Sequence, residues 1–210
     1  VKGSAAALKS LKNKGLVEIF ILKKERSRKV DISNQPIGPP LKFTTEQKKV
    51  FTQLSEAISQ SNFQPYLLHG VTGSGKTEIY MRCIQQVLEQ GKTAIMMVPE
   101  ISLTPQTVER FHQRFGDRVA ILHSGLSQKE RFTEWKKIHD KQVSIAVGAR
   151  SAVFAPFTNL GIIVIDEEHD GSYKQDSTPR YHARDTAVMR AHSQNAFVLL
   201  GSATPSLESI

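Results

Sequence analysis

The 210-residue chain carries one cysteine, Cys83, and one tryptophan, Trp135. A single thiol excludes an internal disulfide framework and a cysteine-rich zinc site within the chain. No apolar run approaches the ~20 residues that a membrane-spanning helix needs, so an integral helical membrane protein is excluded. No apolar signal region follows the basic start, and secretion finds no support. The chain neither begins with Met nor closes on a terminal signal, and the expected context is a longer polypeptide. Acidic residues are scarce at the start. Residues 1–50 hold 12 Lys/Arg against 4 Asp/Glu, an excess of +8, whereas residues 51–210 hold 16 of each. A basic segment joined to a neutral body suits a polyanion, nucleic acid ahead of a membrane surface; a solvated lysine-rich face is the plainer alternative. Hydrophobic residues at 39% and charged residues at 23% make a globular mixture.

Residues 4–14 (SAAALKSLKNK) predict a helix, and Gly15 a natural stop. Leu16–Leu22 predicts a strand, Lys23–Lys29 a basic turn, and Val30–Ile32 a possible return strand. Helix, glycine and a two-stranded ribbon with a basic tip are how a winged-helix domain ends, so residues 1–34 are expected to be the C-terminal part of one. Residues 35–43, with three prolines, form the linker. Thr44 or Thr45 then caps a helix whose apolar face is Val50, Phe51, Leu54, Ala57 and Ile58.

From Tyr66 onward, short apolar runs alternate with amphipathic stretches. The runs are Tyr66–His69, Thr93–Val98, Val119–His123, Val143–Val147, Gly161–Ile165 and Phe197–Leu200. Near-continuous apolar runs of this length fit parallel strands buried on both faces. Ile79, Cys83 and Val87, then Val108, Phe111 and Phe115, then Phe132, Trp135 and Ile138 mark the helical stripes between them, and Trp135 and Phe132 are read as core. The fold class expected is α/β: a parallel sheet with helices on both faces.

Gly70-Val71-Thr72-Gly73-Ser74-Gly75-Lys76-Thr77 matches G-x-x-x-x-G-K-[ST], the Walker A pattern, between a strand and a helix. Glycines there let backbone N–H groups turn toward phosphate oxygens, and the helix N-terminus adds its positive end. Lys76 is expected on the β- and γ-phosphates, and the Thr77 hydroxyl on Mg²⁺. Asp166-Glu167-Glu168-His169 ends the run Gly161–Ile165. A carboxylate at a strand end can hold Mg²⁺, and the next can orient and deprotonate water, so Asp166 is assigned to the metal and Glu167 to the water. Gly201-Ser202-Ala203-Thr204 can bond that acidic cluster. Tyr173, Lys174, Arg180 and Tyr181 interleave aromatics with cations over 170–185, a pattern that suits stacking on single-stranded nucleic acid. An ordinary loop with Tyr181 packed inward is the alternative. The histidines show no metal spacing.

In order, GVTGSGKT, VPEISLTPQ, LHSGLS, VGARSAVFAPF, IVIDEEHD, SYKQ…RYHARD and GSATPS resemble the primosomal protein N′ (PriA) family of bacterial replication-restart helicases, in superfamily 2. The resemblance covers residues 40–210 continuously and is looser before them. It implies a RecA-like P-loop lobe, the first of two, over residues 44–210, preceded by the winged-helix remnant. It implies ATP and Mg²⁺ as cofactors, with zinc held only in a part of the family that this chain lacks. Gln47 resembles the adenine-reading glutamine, and Gly70, Gly73, Ser74, Gly75, Lys76 and Thr77 the nucleotide loop. Asp166, Glu167 and His169 resemble the DEEH box. Thr104, Pro105 and Gln106 resemble a segment on the DNA backbone, and Arg150 and Ser151 a second such contact. Tyr173, Lys174, Arg180 and Tyr181 fall in a stretch resembling an aromatic-rich loop that couples DNA to hydrolysis. Ala149 stands where the family often has Thr, and Pro179 where some members have Trp.

The function this implies is an ATP-dependent 3′-to-5′ DNA helicase or translocase of replication restart, cytoplasmic and without membrane contact. Forked or single-stranded DNA, single-stranded DNA-binding protein and primosome proteins are the implied partners. Two other classes remain: a P-loop nucleotide switch or phosphotransferase, and a non-catalytic DNA-binding module. The guanine-reading N-K-x-D is absent, since Gly15-Leu16 follows Asn13-Lys14.

Overall fold

The computed structural model describes residues 13–14, 42–60 and 63–209. The chain divides into two compact units, residues 1–36 and 37–210. The winged-helix remnant expected over 1–34, save Asn13 and Lys14, and the proline-rich stretch 35–41 lie outside the described residues.

The second unit opens with helix α1, Thr45–Ser59. Thr44 caps it: its hydroxyl accepts from the Gln47 N–H, while the Gln47 side chain returns to the Thr44 N–H. Strands and helices then alternate. Strand β1 (Pro65–His69) leads to helix α2 (Lys76–Glu89), and β2 (Thr93–Met97) to α3 (Pro105–Phe115). Strand β3 (Val119–Leu122) precedes α4 (Gln128–His139), and β4 (Ile145–Gly148) ends in a 3-10 turn at Arg150–Phe154. Strand β5 (Leu160–Ile165) runs into a 3-10 turn at Gly171–Tyr173 and a short hairpin, β6 (Lys174–Gln175) with β7 (Tyr181–His182). Helix α5 (Ala183–Gln194) and β8 (Phe197–Ser202) complete the sheet.

Six strands form one sheet in the order β1-β8-β5-β2-β4-β3, every pair parallel. The six apolar runs expected as strands are these six. Alternation along each strand divides the core. Ala94, Met96, Ile162, Val164, Phe197 and Leu199 face one side with residues of α1, α2 and α3, such as Leu54, Ile84 and Phe111. Ile95, Met97, Ile163, Ile165, Val198 and Leu200 face the other side with Ile138 of α4 and Ala183, Ala187 and Ala191 of α5. Helices thus cover both faces, and all six strand C-termini open at one edge.

One stripe departs from expectation. On α4, Ile138 is buried, but Phe132 is 62% and Trp135 42% exposed. Trp135 is therefore no core residue; its ring stacks on His139 at 5.2 Å. Helix α4 lies over β3, an edge strand, and one edge strand offers too little surface to bury a full stripe.

Candidate nucleotide and nucleic-acid site

The phosphate loop leaves β1, an outer strand of the sheet, beside the C-terminal end of β8. Gly70 N–H donates to the Ser202 carbonyl (3.0 Å), which ties the start of the loop to β8. Gly73 (φ 81°) and Gly75 (φ 86°) are left-handed, a conformation that glycine takes without strain. Gly75 is needed on a second ground: a Cβ there would come within 2.3 Å of the Gln47 amide nitrogen. That amide donates to the Ser74 carbonyl at 2.8 Å, so Gln47 braces the loop from α1. Lys76 is buried, with Nζ donating to the Gly70 carbonyl (2.6 Å) and lying 3.7 Å from the Glu167 carboxylate. Lysine and carboxylate thus face one another across the loop.

Asp166 follows the last residue of β5. Its N–H donates to the Met97 carbonyl, and its carboxylate accepts from the Tyr80 hydroxyl at 3.0 Å. Burial raises the Asp166 pKa above its ordinary value, and the neighbouring Glu167 charge adds to this; the Tyr80 hydrogen bond and Lys76 oppose it. Burial beside Asp166 also pushes the Tyr80 hydroxyl far up, so it stays a donor. Thr77 and Asp166 line the same small cavity of about 60 Å³, together with Ser102, Thr107 and Arg110. A hydroxyl and a half-buried carboxylate at one cavity fit Mg²⁺, which takes few protein ligands and keeps water and phosphate oxygens. Among the described residues no cluster of three or more His, Cys, Asp or Glu could hold a metal by itself. Cys83 is buried, its thiol pushed up to about 12 by that burial.

Glu167 and Glu168 are adjacent yet point apart, because Glu167 takes a left-handed backbone (φ 44°). The Glu167 side chain is 27% exposed and faces Lys76, with His169 Nδ1 at 3.8 Å. Glu168 turns inward and is fully buried. It accepts from Ser206 N–H (2.7 Å), Ser206 Oγ (3.0 Å), Ser209 Oγ (2.8 Å) and Arg184 Nη1 (3.1 Å). Burial works against its charge, but the bonds from Ser206, Ser209 and Arg184 outweigh it and hold the pKa below the usual carboxylate value. His169 Nδ1 pairs with Ser202 Oγ (2.7 Å) and Nε2 with Thr204 Oγ1 (3.3 Å). The Ser-Ala-Thr segment is thus fastened to the acidic run.

The residues expected at nucleic acid occupy three places around this centre. Thr104 caps α3, with Pro105 as its first residue, and Thr104, Pro105 and Gln106 are exposed. Arg150 begins the turn after β4 and donates through Nη1 to the carbonyls of Lys174 (2.6 Å) and Ser172 (3.3 Å); Ser151 is exposed beside it. Lys174 and Arg180 are exposed on the hairpin, beside an open cleft of about 490 Å³ that Tyr181 also lines. Tyr181 is half-buried, edge-on to Phe154. Tyr173 corrects the sequence reading. It has no exposed surface, and its hydroxyl donates to the Asp166 carbonyl at 2.7 Å, so it cannot stack on a base and instead braces the strand end.

Several functional residues escaped the sequence reading. Tyr80 lies one helical turn after Lys76 within an apolar stripe, and its single polar atom was the available signal. Glu100 accepts from the Ser124 N–H (3.2 Å) and hydroxyl, joining the loops after β2 and β3. Arg184, Ser206 and Ser209 converge on Glu168 from up to 41 positions away, which no local pattern reveals.

Residues 44–210 match the DEAD/DEAH box helicase family. The chain is 52% identical over 206 residues to the replication restart protein PriA of Bacillus subtilis, covering 98% of this chain and 26% of that protein. It is 47% identical over 208 residues to the PriA protein of Haemophilus influenzae, covering 99% of this chain and 28% of that one. The chain thus spans about a quarter of the length of these relatives. Among solved structures, RecG bound to a three-way DNA junction aligns with a TM-score of 0.60 and 25% identity, over 81% of this chain and 22% of RecG. A hypothetical ATP-dependent RNA helicase from Sulfolobus tokodaii aligns with a TM-score of 0.52 and 18% identity, over 79% of this chain and 53% of that one, and supports the fold alone.

Proposed function

Since the chain belongs to the DEAD/DEAH box helicase family and is similar along nearly its whole length to replication restart proteins, we propose that residues 44–210 are the ATP-binding lobe of an ATP-dependent 3′-to-5′ DNA helicase or translocase of replication restart. The observation that carries this reading is a convergence at one sheet edge. Lys76 and Glu167 face each other at 3.7 Å, with Thr77 and Asp166 on a shared cavity beside them.

In this reading the terminal phosphates replace the Gly70 carbonyl (2.6 Å) and the Val71 carbonyl (3.4 Å) as partners of Lys76 Nζ. Phosphate oxygens are charged acceptors and outcompete neutral carbonyls for an ammonium. Thr77 and Asp166 would hold Mg²⁺, which when bound neutralises charge on the β- and γ-phosphates. Glu167 orients the attacking water and takes its proton; its partly exposed carboxylate beside Lys76 suits that role. Glu168 is unsuited to it, since four donors already occupy its oxygens. Gln47 stabilises the loop and is available to adenine once its bond to Ser74 opens. His169, bonded to Ser202 and Thr204, couples the acidic run to the Ser-Ala-Thr segment.

Thr104, Pro105, Gln106, Arg150 and Ser151 are the backbone-contact candidates, and Lys174 and Arg180 extend them onto the hairpin. Forked or single-stranded DNA is the proposed substrate; single-stranded DNA-binding protein and primosome proteins are the proposed partners, in the cytoplasm. Residues 1–34 are proposed as the end of a winged-helix domain and 35–43 as its linker. Zinc belongs to the proposed remainder of the protein. Turnover by this lobe alone is expected to be feeble, because an arginine from a second lobe accounts for roughly 10³–10⁵ in rate in enzymes of this chemistry.

The test separates binding from chemistry. In the full-length protein, Glu167→Gln keeps size and hydrogen bonding but removes the base. ATP–Mg²⁺ binding by calorimetry stays unchanged, while hydrolysis falls at least about 10²-fold. A near-normal rate would remove Glu167 from the chemistry. Hydrolysis of GTP in preference to ATP would favour a nucleotide switch.

A further inference from the structure

The hairpin β6–β7 is too small to stand by itself. Two register pairs hold it, Lys174 with His182 and Gln175 with Tyr181, and an isolated two-stranded hairpin is marginal in water. Thr186 of α5 donates to the His182 carbonyl (2.9 Å), and the rest of its support comes from one five-residue turn, Arg150–Phe154, which reaches both strands. Arg150 Nη1 donates to the carbonyls of Lys174 (2.6 Å) and Ser172 (3.3 Å), at the entry to the hairpin. The Phe154 ring meets Tyr181 on the returning strand, with centroids 5.1 Å apart and planes at 71°. The turn itself is fixed from behind. Arg190 of α5 donates to the Val153 and Phe157 carbonyls, and Ala152 and Val153 are fully buried. The turn is therefore held from behind, and Arg150 and Phe154 are its reach onto the hairpin.

The entry to the hairpin is also the exit from the acidic run. Tyr173 lies between the two residues whose carbonyls Arg150 holds, and its hydroxyl donates to the Asp166 carbonyl at 2.7 Å. Asp170 N–H donates to the Glu167 carbonyl (2.8 Å), and Tyr173 N–H to the Asp170 carbonyl (3.2 Å). Glu167 sits between these ties at φ 44°, a left-handed conformation that its surroundings must maintain. Release of the Ser172 and Lys174 carbonyls therefore slackens the segment that holds the Asp166–Glu167 backbone.

Carbonyls are neutral acceptors. A phosphodiester binds a guanidinium with opposite charge and in a bidentate geometry, so it wins that competition. Arg150 is half-buried at the open sheet edge, where a phosphodiester can approach it. We propose that Arg150 is an exchangeable mooring. Without nucleic acid it holds the hairpin by the Ser172 and Lys174 carbonyls. An arriving backbone phosphate takes the guanidinium, frees the segment 171–182, and through Tyr173 lets Glu167 settle for hydrolysis. Arg150 touches neither nucleotide nor attacking water; it is a positioning residue. The proposal rests on the reading of this lobe as a DNA-stimulated ATPase.

The experiment uses the full-length protein, with amide hydrogen exchange over 170–182 and steady-state ATP hydrolysis, each with and without single-stranded DNA. In wild type, DNA raises exchange in 170–175. In Arg150→Gln, exchange there is already about tenfold faster without DNA, the scale set by losing one charge-assisted hydrogen bond. DNA-free hydrolysis rises in that variant and the stimulation ratio drops toward one. Phe154→Ala speeds exchange at 181–182 but keeps the DNA response at 170–175. An Arg150→Gln protein with wild-type exchange in the absence of DNA overturns the mooring, even if its DNA affinity falls. So does faster exchange accompanied by lower hydrolysis both with and without DNA, which marks a purely structural arginine. If wild type neither hydrolyses ATP nor responds to DNA, the functional reading fails, while the DNA-free exchange comparison still decides whether Arg150 holds the hairpin.

Discussion

Glu167 and Glu168 show how one backbone residue separates chemistry from architecture. The left-handed turn at Glu167 sends its carboxylate toward Lys76 and the next one into the protein. Glu168 then gathers a cap of donors from the segment after β8 and from α5. Removing one partner of a buried ion pair strands the other. Glu168→Ala strips Ser206 and Ser209 of their acceptor and leaves Arg184 with its more exposed partner Asp185 (3.0 Å), so about 3 kcal/mol is expected, the low end for a broken buried pair. Glu168→Gln keeps the shape and part of the bonding, and about 1–3 kcal/mol is expected. For a domain of this size each kcal/mol lowers Tm by about 2–4 °C, within reach of scanning calorimetry. An unchanged Tm for Glu168→Ala would show that the cap contributes nothing and would reopen Glu168 as the base.

At the level of elements, the strands were legible because parallel strands buried on both faces leave continuous apolar runs, and the phosphate loop was legible because all its parts are local. Other features were not legible, for physical reasons. Phe132 and Trp135 have the same spacing as a buried stripe, and only the edge position of β3 leaves them exposed. Tyr173 looked like a stacking residue because burial cannot be read from an aromatic among cations. The fastening of β8 to β5 and α2 depends on close approaches that one letter, Gly201, conceals. A Cβ there would come 1.6 Å from the Tyr80 hydroxyl oxygen and 2.7 Å from its ring carbon. Tyr80 is fully buried and is the donor to Asp166, so Gly201→Ala must push it aside. Overpacking of this kind costs about 1–3 kcal/mol, and ATP–Mg²⁺ affinity is expected to fall with it. Adding Tyr80→Phe removes the nearest clash and recovers part of the stability, as measured by denaturant unfolding. No recovery in the double variant would place the strain elsewhere.

On the scale of the whole molecule, charge and chemistry are divided between two compact units. Residues 1–36 hold 9 Lys/Arg and 3 Asp/Glu, a net of +6, while residues 37–210 hold 19 against 17 and carry +2. The second unit has its own core on both faces of the sheet and holds every motif residue of the nucleotide site. DNA binding and ATP binding are therefore expected to separate on deletion. Phosphate contacts dominate affinity and set its salt dependence, at about 0.9 of a log unit per neutralised phosphate on duplex DNA. If all six excess charges act, deleting 1–36 flattens the plot of log affinity against log salt by up to about 5. Titration of labelled duplex across a salt series, on the 210-residue chain and on 37–210, reads that slope directly. ATP–Mg²⁺ affinity is expected to be the same in both, since Gln47 and the phosphate loop lie in the second unit. Equal salt slopes would assign the basic segment to a solvated face and leave the DNA contacts to Thr104–Gln106, Arg150, Ser151 and the hairpin cations.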